Sequence, residues 1–111
     1  MPPAETFTDL TPAIVERVAL LLNSPLREAR YRAGGAPVYE LRVRSAVLGI
    51  DVTLLLWTGL NRADVRIGDS SMVFKRIDAV ELYPGVEVLF RRHDPPGYLF
   101  VSVDGRASMV V

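Results

Sequence analysis

His93 is the only histidine in the chain, and there is no cysteine. Histidine is the one side chain whose ordinary pKa lies near neutrality, so proton transfer at neutral pH would fall to His93. It stands in Arg91-Arg92-His93-Asp94. Neighbours in an extended chain point to opposite sides, so Asp94 is badly placed to orient the imidazole. A nucleophilic triad would have to recruit Ser70, Ser71, Ser102 or Ser108 from elsewhere. The expectation is therefore a structural or solvent-exposed loop histidine, with Arg91 and Arg92 forming a small cationic spot beside it. One nitrogen ligand falls short of the convergent set of a structural zinc site. A chain without cysteine has no thiolate chemistry, no disulfide and no cysteine metal cage. No phosphate-binding glycine loop, dinucleotide fingerprint, zinc-protease pair or nucleophile elbow is present, and no metal or cofactor is expected.

Carboxylate chemistry requires two acids facing one another or one metal. The candidates are Asp51, Asp64, Asp69, Asp78, Glu81 and Glu87. Asp64, Asp69 and Asp78 stand beside expected turns or strand starts, where local hydrogen bonding explains them. Asp51 heads the most apolar strand and is expected to cap a turn or pair with an arginine.

The basic residues carry the stronger bias. All 13 except Lys75 are arginine. Arg27, Arg30, Arg32, Arg42 and Arg44 cluster against Glu28 and Glu40. If Arg30 and Arg32 lie beside Arg42 and Arg44 in a hairpin, one face is cationic. Guanidinium forks suit phosphate and carboxylate. The plainest outcome is a solvated outer face laced with local ion pairs. An acidic protein partner, a phosphorylated ligand or a nucleic acid would bind through Arg42 and Arg44. The zero net charge weighs against a broad polyanion-binding surface. Aromatic interleaving for single-strand binding would use Tyr31, Tyr39 and Trp57. Tyr39 shares its face with Leu41 and Val43 and reads as core, whereas Trp57 ends a buried strand and marks a pocket rim or an interface.

These side chains need elements to hold them. The 111 residues fit one domain, read as an arm over 1–10 and a body over 11–111. Pro2 and Pro3 oppose regular structure in the arm, although Phe7 and Leu10 can pin it. Thr11 and Pro12 open a helix whose apolar positions Ile14, Val15, Val18, Leu21 and Leu22 form one face, and Asn23-Ser24-Pro25 ends it. Residues 26–32 read equally as a short helix or a charged edge strand. From Val38 the period is two, giving a strand through Arg44 with a basic outer stripe. Asp51 to Trp57 is apolar on both faces after Thr53 and should be central or covered on both sides. Further short strands follow, with turns at 58–61, 68–71, 84–85, 93–97 and 104–105.

The expected fold is α+β and mainly β. An N-terminal amphipathic helix precedes a strongly bent antiparallel sheet or small barrel of about seven or eight strands, since the spacing leaves no room for parallel crossovers. No run approaches the roughly 18 apolar residues of a spanning helix, and the start has no basic leader. A cytoplasmic, non-membrane protein is the expectation. The two-faced apolar strands and the apolar final strand point to a non-enzymatic interaction or assembly module that self-associates. The alternatives are a barrel binding a phosphorylated ligand or nucleic acid through arginines, and a carboxylate enzyme with a barrel cavity.

Overall fold

The computed structural model describes residues 2–111, and for Tyr31 the backbone only. Met1 and the Tyr31 side chain, to which the arm and the aromatic reading extended, lie outside the described residues.

Among the described residues the chain forms ten strands, with one α-helix between the first and the second. A short first strand, β1 (Glu5–Phe7), precedes helix α1 (Pro12–Leu21). There follow β2 (Arg27–Ala33), β3 (Ala36–Arg44), β4 (Asp51–Trp57), β5 (Arg62–Ile67) and β6 (Ser70–Phe74). The chain closes with β7 (Ala79–Tyr83), β8 (Glu87–His93), β9 (Pro96–Ser102) and β10 (Ala107–Val110). All pairings are antiparallel. They build two separate five-stranded sheets, ordered β2-β3-β4-β5-β6 and β1-β7-β8-β9-β10. This departs from the expected single bent sheet or barrel of seven or eight strands: the strands divide between two sheets, and neither closes on itself. A single apolar cluster draws on both sheets and the helix, so the space that a barrel cavity would have occupied is packed core.

The helix begins as its residue types require. Thr11 is extended, its Oγ1 accepts the Ile14 N–H, and Pro12 fills the first position, where no amide partner is missing. At the other end Asn23 adopts a left-handed conformation, φ 52°. The Ser24 N–H then reaches the Ala19 carbonyl and the Asn23 N–H reaches the Leu20 carbonyl, the paired bonds of a Schellman end. Val15, Val18, Ala19 and Leu22 are buried, and the helix touches β3 of one sheet and β8 of the other. It covers one open side of the two-layered core.

Period-two alternation then assigns the faces. Leu41, Val43, Val52, Leu54, Leu56, Ala63, Val65 and Phe74 point inward from the first sheet, opposite Val80, Leu82, Val88, Phe90, Leu99 and Val101 of the second. β4 is the central strand of its sheet, as its apolar composition suggested. Residues 27–33 are a strand and not a helix, with the register slipping between Glu28 and Arg32; a bulge of this kind is common on edge strands. The tight β2–β3 turn also rules out the arginine pairing that the sequence left conditional. Arg27 sits opposite Glu40 and Arg32 opposite Pro37, so Arg30 and Arg32 do not flank Arg42 and Arg44. The N-terminal residues are less loose than their prolines imply: β1 pairs with β7, and Leu10 is buried with its amide donating to Asn61 Oδ1.

Two approaches of backbone to backbone lock loops onto the sheets. The single 3-10 turn Thr58–Leu60 lies against the β2–β3 turn, where a Cβ on Gly59 would stand 2.2 Å from the Ala33 carbonyl oxygen. At the other end, the Ala46 amide donates to the Asp104 carbonyl, joining the β3–β4 loop of the first sheet to the β9–β10 turn of the second. Gly59→Ala should cost about 2 kcal/mol or more, because only backbone can give way. Gly35→Ala, at φ 76° with nothing within 4 Å, should lose only the left-handed penalty of about 1 kcal/mol. Chemical denaturation of both variants measures the difference, and equal losses would show that the Gly59 contact relaxes freely.

Candidate functional site

The buried residues Ala79 and Leu89 do not belong to the main core cluster. They alternate with the inward positions of β7 and β8, so they lie on the outer face of the second sheet. The registers order that face into rows. Ala79, Arg91, Tyr98 and Val110 form one row, and Glu81, Leu89, Phe100 and Ser108 the next. Tyr83, Glu87 and Ser102 form a third. Among the described residues no element outside the sheet makes extensive contact with this face, yet Tyr83, Tyr98 and Phe100 are half-buried and Leu89 is only 7% exposed. The result is an aromatic and aliphatic patch that runs to the edge strand, where Val110 is 47% exposed.

A polar network crosses the patch. Arg91 Nε donates to Glu81 Oε2 at 2.9 Å, and the Tyr83 hydroxyl donates to Glu81 Oε1 at 2.9 Å. The Arg91 guanidinium holds the Glu81 carboxyl below its ordinary range, against the opposing pull of burial, and Tyr83 adds to the lowering. The same bonds push the Tyr83 phenol up, the Glu81 hydrogen bond leading, and raise Arg91. The three groups therefore stay in one charge state across the physiological range and hold the aromatic rings in register.

At the end of this face Arg91, Arg92, His93, Pro96, Gly97, Tyr98 and Val110 line a shallow concavity of about 350 Å³. The three residues marked from the sequence are thus brought together, but in different roles. His93 points outward and is largely exposed, with Nδ1 2.5 Å from Asp78 Oδ1 while Asp78 Oδ2 accepts the His93 amide at 2.8 Å. The partner is Asp78, fifteen residues away, and not the adjacent Asp94. Engagement of Nδ1 leaves Nε2 as the ring atom presented to solvent. Arg92 points the other way. Its Nε donates to the Pro95 carbonyl at 2.7 Å, its Nη1 donates to the Lys75 carbonyl at 3.1 Å, and its guanidinium lies 4.7 Å from the centroid of the buried Phe74 ring. Arg92 closes one end of the core and ties β8 to the segment after β6.

The remaining marked residues lie on the outer face of the first sheet. Arg42 is 3.3 Å from Glu40, and Arg44 is 3.7 Å from Asp51. Trp57 ends β4 on that same side, with the Arg62 guanidinium 4.7 Å from its ring centroid. Arg62 also binds Asp64 through two hydrogen bonds, of 2.7 and 2.8 Å. Asp64 is the third residue of β5, near the strand start as expected, but it is buried, 4% exposed, and held by Arg62. Tyr39 packs against the core, and burial, aided by Glu28 and Glu16, pushes its phenol up. Asp51, Asp64, Asp78 and Glu81 each face a cation or the imidazole, and among the described residues no three His, Asp or Glu side chains gather as a metal-ligand set. Also among the described residues, no helix is long and apolar enough to cross a membrane.

Comparison with protein-family models, with curated proteins and with solved structures finds no match. The geometry is therefore the basis for assigning a role. Sequence reasoning set Leu89 on the face of Glu87 and Arg91 but did not mark Tyr83, Leu89, Tyr98 and Phe100 as site candidates; the signal available was apolar character on both faces of β8 and β9.

The Glu81–Arg91 pair makes a pH-dependent contribution. A carboxyl held below its ordinary value of about 4.3 stabilises the fold above that value, and the contribution is lost as pH falls through the folded value. Arg91→Gln should cost about 1 kcal/mol at neutral pH, the partial exposure of the pair limiting it. The gap between variant and parent should narrow in acid. Denaturant midpoints at neutral and acidic pH check this, and a gap that does not change with pH would rule out the carboxylate as the partner that matters.

Proposed function

We propose that the protein is a cytoplasmic, non-enzymatic interaction module that self-associates through the outer face of its second sheet. The observation that supports this is the uncovered patch of Tyr83, Leu89, Tyr98, Phe100 and Val110, continuous with the edge of β10. A contiguous apolar and aromatic surface on a small soluble domain marks a contact site, and tyrosine and phenylalanine are enriched in the cores of such sites. The patch carries its own charge pair, Arg91 with Glu81, already satisfied within the chain. Covering the two central rows therefore leaves no buried charge without a partner, a condition that a contact core must meet, while Glu87 stands in the end row beside Tyr83.

A second copy is the occupant that fits best. The two central rows present apolar and aromatic side chains around one internally paired charge couple, Arg91 with Glu81, and so demand no strongly charged opposite surface. A two-fold axis lets a patch of that kind meet itself. β10 adds an uncharged edge, Ala107 to Val110, beside the same patch, and the unpaired amides and carbonyls of an edge strand are themselves available to another strand.

Sedimentation velocity over a concentration series tests the reading. The parent chain should shift from monomer to dimer as concentration rises. Phe100→Glu and Tyr98→Glu should each remain monomeric with unchanged circular dichroism, because both side chains stand on an outer face. A parent chain that stays monomeric at the highest soluble concentration, or a Phe100→Glu variant that dimerises as well as the parent, would overturn it. Dimerisation that survives both face substitutions but is abolished by Ser108→Pro on β10 would move the contact to the strand edge.

A further inference from the structure

The outer face of the first sheet carries a different chemistry. Its registers place Arg27, Glu40, Leu55, Asp64 and Val73 in one row across the strands. The row on the side toward the β3–β4 loop is Arg42, Thr53, Arg66 and Ser71. That second row holds two cations and two hydroxyls and no acid. Arg42 and Arg66 occupy the strands on either side of β4, so their backbones stand about 10 Å apart, with Thr53 between them. Two long side chains entering from opposite sides over a central hydroxyl make a cradle for a tetrahedral oxyanion.

Two of the acids nearby are already committed, and Asp69 lies beyond Ser71 in the β5–β6 turn. Asp64 gives both carboxylate oxygens to Arg62, and Asp51 pairs with Arg44. Glu40 approaches Arg42 at Nε, 3.3 Å away; this leaves the terminal amino groups to bind elsewhere but puts a carboxylate charge that competes with an anion beside the guanidinium. Among the described residues Arg66 has no ion pair and the Thr53 hydroxyl takes no hydrogen bond. Thr53 is half-buried and Arg66 exposed, so the hydroxyl forms a floor and the guanidinium a wall.

We propose that Arg42, Thr53, Arg66 and Ser71 form a binding site for a phosphoryl group, the arginines contributing paired charge-assisted hydrogen bonds and the hydroxyls the remaining donors. Guanidinium forks match the edges of a phosphate, and a cradle with two cations and no acid in its row favours the doubly charged monoester over a carboxylate. The site lies on the opposite face from the self-association patch and does not depend on it. The group can belong to a soluble phosphate monoester or to the headgroup of an acidic phospholipid, since the chemistry presented to the arginines is the same.

The test is a titration of the full chain with inorganic phosphate, followed by amide chemical shifts at constant ionic strength, with chloride as the matched salt. Saturable shifts at Arg42, Thr53, Arg66 and Ser71 are expected, and Arg42→Gln and Arg66→Gln should each weaken binding about tenfold. Glu40→Gln should tighten it by removing the competing carboxylate, and Arg106→Gln should leave it unchanged. Sedimentation with phosphatidylcholine vesicles carrying phosphatidic acid separates the two sources. Co-sedimentation that is lost in Arg66→Gln assigns the group to a lipid headgroup, and saturable phosphate binding without it assigns the group to a soluble ligand. Shifts that chloride reproduces, shifts that do not saturate, or binding of either kind that survives both arginine substitutions would overturn the proposal. All four variants alter exposed or half-exposed side chains, so retained dispersion of the amide spectrum shows that loss of binding is not loss of fold.

Discussion

Alternate side chains of the two sheets meet in one apolar cluster, and the direction in which every other side chain faces follows from that burial. Leu41 and Val43 turn inward on β3, so Arg42 and Arg44 must turn outward. Val88 and Phe90 turn inward on β8, so Leu89, Arg91 and His93 must turn outward while Arg92 turns in over Phe74. A one-residue slip of register would exchange the two sets and put guanidinium groups into the core. The cost of burying them unpaired holds each row of surface residues in place as firmly as the apolar contacts do.

Much of this alternation can be read from the chain. The strand through Tyr39, Leu41 and Val43, the helix from Thr11 to Asn23, and the central position of the Asp51–Trp57 strand all follow from local pattern, because each depends on residues within a few positions of one another. Closure does not. Whether the first and last strands of a sheet meet is decided by hydrogen bonds between segments far apart in sequence, and here they divide into two open sheets. The edge strands were the hardest to read. β1 is three residues long and follows two prolines, and β2 carries a bulge that breaks its alternation.

The side-chain constellations were legible in proportion to their sequence separation. Arg91, Arg92 and His93 are adjacent, and the concavity does gather them. Yet adjacency in a strand sends neighbours to opposite faces, so one of the three became a core clamp. Asp78, which orients His93, and Glu81, which holds Arg91, come from a neighbouring strand or its approach and needed the register to be found. The row of Arg42, Thr53, Arg66 and Ser71 draws on four strands and has no trace as a motif. Arginine bias pointed to the first sheet but named the wrong companions, since the tight turn at Gly34-Gly35 sets Arg32 opposite Pro37 and keeps Arg30 and Arg32 at the turn end of the hairpin, away from Arg42.

The two sheets share no hydrogen-bonded strand pair, and they are held at a set angle by the core, by Arg92 at one end and by the Ala46–Asp104 backbone bond at the other. Their outer faces consequently look in opposite directions. Whatever one face holds, the other stays open to solvent, so occupancy on one side does not exhaust the molecule. Two copies joined by their second sheets would carry both first-sheet faces on the outside, turned away from each other. The valency of such a pair toward anything binding those faces is two, and the distance between the two sites is set by the thickness of four sheets and not by a flexible tether.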